Sequence, residues 1–131
     1  MDVMQQIRKR FGNDRFAALA GIEILEAEPG RALCRLVLRD EHMNSNDTPM
    51  GGAIFTLADL CFAVAANAGN EHVTVSQHMS ITFLSPTKGT VLMAEAKRIK
   101  DGRRTCLYEV FVTDELGTQV AHATGNGFSI N

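Results

Sequence analysis

Residues 51–68 read GGAIFTLADLCFAVAANA, and drawn as a helix the segment is apolar almost all the way round, broken only by Thr56, Asp59 and Asn67. A helix without a polar face has to be enclosed, by protein or by lipid. Lipid fits poorly, because the run falls short of the ~20 apolar residues of a span and carries a carboxylate at its centre. The flanking segments are β-patterned, so the helix is expected to lie inside a wrapped sheet. Asp59 is then an anomaly, since an acid in apolar surroundings is costly unless it is paired or used. The polar, turn-rich stretch ahead of it, His42 to Met50, ends in the pair Gly51-Gly52. Glycine pair, helix and acid together mark where chemistry should be sought.

The rest of the chain supplies the sheet. Val3, Met4, Ile7 and Phe11 recur at helical spacing, and Asn13 or Asp14 is placed to cap a second short turn carrying Phe16 and Leu19. The period then becomes two. Ile22–Ala27 and Arg31–Leu38 flank Glu28-Pro29-Gly30 as a hairpin would, with Ala32, Cys34, Leu36 and Leu38 on one face. Arg31, Arg35 and Arg39 share the other face with Leu33 and Val37, so that face is wet at its ends. Beyond the helix, Val73, Val75, Gln77, Met79, Ile81 and Phe83 form the inward set of a strand buried on one face. Thr90–Lys100 presents Leu92, Ala94 and Ala96 inward, Asp101-Gly102 signals a two-residue hairpin, and Arg104–Thr113 presents Cys106, Tyr108, Val110 and Val112. Gly117 turns the chain into a last strand, Thr118–Ile130. Hairpin, helix, then a four-strand meander gives an α+β chain, one curved antiparallel sheet around one buried helix. At 131 residues and 45% hydrophobic, positions 1–131 read as one domain with enough core to need no disulfide or metal.

Composition excludes several roles. With 13 basic and 15 acidic residues, the net charge of -2 does not suit a nucleic-acid coat or an anionic membrane surface. Cys34, Cys61 and Cys106 are isolated, odd in number and set among apolar neighbours, which reads as core thiols of a reduced, cytoplasmic protein. The first twenty residues lack the order of a signal peptide. His42 reads as a solvated loop residue, and His72, His78 and His122 sit on strands without metal-ligand spacing. Phe83, Phe111 and Phe128 read as core.

The residues around the helix are similar to a known pattern. Asn44, Gly51-Gly52 and Leu57-Ala58-Asp59, followed by Val75-Ser76 and Ile81-Thr82-Phe83-Leu84-Ser85-Pro86, resemble the acyl-CoA thioesterases of the phenylacetate-pathway type, from about Phe16 to the end of the chain. The resemblance implies the hot-dog fold, an acyl-CoA substrate, no cofactor, and dimers that often pair into tetramers. One position departs: Met50 stands where the family usually has a His that positions or polarises the substrate carbonyl.

Thioester cleavage needs a base or nucleophile and donors for the developing oxyanion. Asp59 is the one acid inside the apolar helix, and serves as general base or as nucleophile. Gly51 opens the helix, where N–H groups are unpaired, and the resemblance makes its N–H the oxyanion donor. Asn44 either orients substrate or water, or simply holds an Asx turn. Ser76 either helps hold the water beside the acid or is an ordinary strand serine. Met50, Gly52 and Ser85 are expected to contact substrate. Arg98, Lys100, Arg103 and Arg104 form a basic hairpin, unremarkable singly, that as a group suits the nucleotide phosphates of CoA. Two rivals are a CoA-ester dehydratase or hydratase, which needs a His with an acid, and a non-catalytic CoA-ester-binding module. Gly51 and Asp59 are eight residues apart, ~12 Å along a helix, too far for one carbonyl to meet both. A site shared between antiparallel helices of two subunits is therefore expected.

Overall fold

Local capping sets the first elements. Asp2 and Gln5 form a reciprocal capping box at the start of α1, Val3–Phe11. Asp14 accepts the Ala17 N–H to open α2, Arg15–Ala20, and Gly21, at φ 86°, closes it in the left-handed region that favours glycine. The structure, a computed structural model, describes residues 1–130. The sheet comprises β1 (Ile22–Glu28), β2 (Arg31–Val37), β3 (Thr74–Phe83), β4 (Val91–Asp101), β5 (Thr105–Asp114) and β6 (Gln119–Ser129), and α3 (Gly51–Asn67) packs on β2, β3, β4 and β5. Among the described residues no helix is long and apolar enough to cross a membrane.

The apolar wheel of α3 is matched by what encloses it. Leu57, Phe62 and Val64 are at most 1% exposed, and burying each contributes about 1.5–3 kcal/mol. Opposite them lie Leu36, Leu92, Val110 and Val112, the inward sets of β2, β4 and β5. Phe62 and Tyr108 meet edge to face at 5.3 Å, and all three cysteines are buried in this layer. The buried Asn67 is fully used: its amide donates to Ala63 O (2.8 Å) and Thr74 O (3.0 Å) and accepts from Thr74 N (2.9 Å), tying the end of α3 to the start of β3.

Three expectations need correction. The sheet order is β1-β2-β4-β5-β6-β3, so only β4-β5-β6 is a meander; β3 pairs with β6 at the far edge instead of with β4. The helix carries the chain across the sheet, and residues 84–90 then cross back to β4. Second, β3 does not alternate throughout. The register slips between Ser76 and His78, and Val75 and Phe83 are half-exposed while Met79 and Ile81 pack on the core. Phe111 is likewise half-exposed, on the outer face beside His122, and not in the core. Third, β4 and β5 are joined through residues 102–104, closed by Gly102 N donating to Thr105 O at 2.7 Å, a longer connection than a two-residue turn.

Candidate active site

The loop before α3 is built around two side chains. Asn44 Oδ1 accepts from Asn46 N (2.8 Å), Thr48 N (3.3 Å) and Thr48 Oγ1 (3.2 Å), so this oxygen holds the turn. His42, expected in solvent, is buried. Arg39 N–H donates to its Nδ1 (2.9 Å), which leaves the proton on Nε2 to donate to the Ala20 carbonyl (2.7 Å). Its own carbonyl accepts the Met50 N–H at 2.8 Å, so His42 clamps the end of α2 to the entry of α3. Nothing in the sequence signals this, because its partners are backbone groups set by the fold.

Met50 is the residue before the helix and offers no side-chain cap, so the N–H groups of Gly51 and Gly52 have no hydrogen-bond partner among the described residues. Unpaired amides at the positive end of a 17-residue helix form a site for negative charge. A Cβ on Gly51 would lie 3.1 Å from Phe83 Cζ, so glycine is what keeps this approach open. A cavity of about 300 Å³ opens here, walled by Thr48, Gly51, Ile54, Phe83, Ser85 and Thr87. Met50 and Gly52 face a second, more apolar groove of about 600 Å³ between α3 and α2, with Phe16 and Leu19 on its other wall.

Asp59 lies two turns further along α3, partly buried. Burial pushes its carboxyl up, a hydrogen bond from Ser76 opposes that, and the charge of Asp14 adds to the upward shift. The slip in β3 explains the Ser76 contact. Unbroken alternation would put Ser76 on the face opposite Met79 and Ile81. The extra residue, Gln77, reverses the phase and turns Ser76 toward the helix, a known use of bulges. Asp14 entered the sequence reading only as a cap.

The structure thus brings Ser76 to Asp59, and Ser85 to Gly51, within one chain. It does not bring Gly51 to Asp59. Nor does it bring the basic hairpin to either. Arg98 folds back on Gly30 and pairs with Asp101 at 3.7 Å, while Lys100, Arg103 and Arg104 are exposed. That cluster sits near Ala65 and Tyr108, at the opposite end of α3 from Gly51.

Residues 15–126 match the family described as Domain of unknown function (DUF4442). A protein of Archaeoglobus fulgidus, named only provisionally as an esterase, is 34% identical over 122 residues, 92% of this chain and 79% of that one. The acyl-coenzyme A thioesterase PaaI of Escherichia coli is 28% identical over 127 residues, 96% and 90% of the two chains. Its solved structure superposes with a TM-score of 0.93 over 98% of this chain and 94% of that one. The chain belongs to the PaaI-like thioesterase family. The PaaI-like chain has the hot-dog architecture of that structure, six antiparallel strands curved around one helix. A further PaaI-like match, 27% identical with a TM-score of 0.79 over 85% and 90% of the two chains, is a Streptococcus mutans protein solved bound to acetyl CoA.

Proposed function

We propose that the protein hydrolyses acyl-CoA thioesters to a free acid and CoA. The observation that carries this reading is the combination of a partly buried carboxylate, Asp59, in an apolar helix with two unpaired amides at a helix N-terminus. The names of the PaaI relative and the acetyl CoA complex support the substrate class.

In this reading the thioester oxygen lies at the Gly51 N–H, where charge develops as the carbonyl carbon becomes tetrahedral. Asp59 takes a proton from the attacking water, or attacks the carbon itself; collapse then breaks the C–S bond and CoA leaves as thiolate, to be protonated, and on the second route water then cleaves the acyl–Asp59 anhydride, releasing the acid and restoring the carboxylate. The hydroxyl-bearing cavity beside Gly51 suits the amide-bearing pantetheine arm, and the apolar groove beside Met50 suits the acyl arm. The two reacting groups come from different subunits. β3 is a ten-residue edge strand, a surface disposed to pair with another copy, and antiparallel α3 helices would set Gly51 of one chain against Asp59 of the next. The same arrangement carries the basic hairpin of one chain toward the Gly51 end of the other.

The test is a panel of aryl, short-chain and medium-chain CoA thioesters read by free-thiol release. Turnover of at least one ester is expected; binding of CoA without turnover of any would make this a binding module.

Two further results are expected. The base acts as carboxylate, so kcat/KM should fall as pH drops through the raised pKa of Asp59. Ser76→Ala removes a bond that favours the charged form, so the acid limb should move to higher pH. A limb that stays in place would remove Ser76 from the site. Met50→His should retune activity across the panel by up to about tenfold, the effect of one added hydrogen bond near the carbonyl. A collapse on every ester by a folded variant would give Met50 a packing role of its own.

A further inference from the structure

We propose that Asp114 and Glu115 are positioning residues for the substrate, acting through the strap of residues 84–90 that walls the cavity at Gly51. The inference rests on reading that cavity as part of the thioester site.

The strap exists because of the sheet order. β3 lies at an edge, β4 lies beyond β6 and β5, and the chain must cross the ends of both. A crossing segment has no strand partner for its N–H groups, and these need acceptors. The end of the β5–β6 hairpin supplies them. Leu84 N and Ser85 N donate to Val120 O (2.8 and 3.4 Å). Lys88 N and Gly89 N both donate to Asp114 Oδ2 at 2.9 Å. Thr90 N donates to Glu115 Oε2 (2.9 Å) and Val91 N to Glu115 Oε1 (3.1 Å).

Burial does not set the strap's position. Leu84, Ser85, Pro86, Lys88 and Thr90 are all exposed, so hydrogen bonds fix it: the Val120 carbonyl at its start, and at its end the two carboxylates together with the Leu38 N–H, which donates to Thr90 O at 2.9 Å. Asp114 is suited to this: it is 4% exposed, and its other oxygen accepts Leu116 N (3.0 Å) and Thr118 N (2.9 Å), which locks the carboxylate to its own turn. Burial alone would push its carboxyl up, yet the N–H donors of Thr118, Gly89 and Lys88 hold it well below the usual range, so the anchor stays charged at any working pH. The strap and the residue before it, Phe83 to Thr87, then line the cavity with Gly51, and Phe83 Cζ lies against the Gly51 Cα face. Thr87 Oγ1 is buried there without a hydrogen-bond partner among the described residues. A strap displaced by a few tenths of an ångström changes the width of the slot that a thioester arm must enter.

Gly89 gives a way to test this from both sides. A Cβ there would overlap Glu115 Oε1, and its three nearest neighbours are all atoms of that carboxylate. Gly89→Ala should therefore evict Glu115, and Glu115→Ala should remove the obstacle. KM, kcat and melting temperature are measured for Gly89→Ala, Glu115→Ala, the double variant and Asp114→Asn, and free coenzyme A is titrated into each by calorimetry. Each single variant is expected to raise KM about tenfold with kcat within about twofold, and to weaken CoA by the same ratio. The double variant should be no worse than Glu115→Ala alone. A role in stability alone would lower kcat with the active fraction and leave KM and the CoA constant unchanged, and that result overturns the proposal, as does a double variant whose defects multiply. A wild-type protein that hydrolyses no ester would instead count against the thioesterase reading, and the CoA titration would still decide whether the strap positions a ligand.

Discussion

Asp59→Asn should fold, bind CoA and lose hydrolysis, with kcat down by about 10²–10⁴-fold, the range a positioned general base supplies. Asn keeps the shape and can still accept the bond from Ser76, but it has neither charge nor basicity. The same variant should be no less stable than the wild type at pH 7. Burial raises the folded-state pKa of Asp59, so its ionised form is disfavoured in the fold. Such a group contributes stability below its unfolded pKa, near 4, and loses it as pH rises through the folded value. At neutral pH the ionised Asp59 is therefore a cost that Asn removes, which should raise Tm, and the advantage should vanish when melting is repeated below about pH 4. Near-wild-type turnover by Asp59→Asn would end the assignment. An inactive variant that melts well below the wild type would make Asp59 a scaffold residue.

How far the sequence could be read follows from where each signal lives. The central helix was legible because its apolar residues are local and continuous, and Asp59 stood out for the same reason: it breaks the pattern of its own segment. The inward sets of β2, β4 and β5 were legible from period-two alternation, and they are the buried faces. Pairing was not. Whether β3 lies beside β4 or β6 depends on where α3 delivers the chain, and strand periodicity is the same in either case. The slip at Gln77 was hidden because a polar residue fits either phase, and with it went the face of Ser76 and the exposure of Val75. His42 and Asp114 escaped for one shared reason. Each sits in a polar, turn-like segment and is used by backbone groups, Ala20 in one case, Lys88 and Gly89 in the other, that only the tertiary fold brings near.

Inactive Asp59→Ala and Gly51→Pro subunits, mixed, should regain activity. Along α3 the two reacting positions are ~12 Å apart, and an Asp side chain cannot span that to a carbonyl held within ~3 Å of the Gly51 N–H. Proline is the substitution of choice at Gly51. It removes the N–H, the first helical position tolerates it, and Met50, at φ -57° and ψ 135°, already has the conformation preferred before proline. The ring must displace Phe83, which is half-exposed. In a mixed dimer the Asp59→Ala chain brings an intact Gly51 and the Gly51→Pro chain an intact Asp59, so one of the two composite sites is whole. Random exchange makes about half the dimers mixed, each with one working site, so recovery should approach about a quarter of wild-type activity. The readout is thioester hydrolysis against mixing ratio, with exchange confirmed by a tag on one partner. No recovery after confirmed exchange, or a monomer as active as the assembly, would show that each chain carries a complete site and that some donor other than Gly51 serves Asp59.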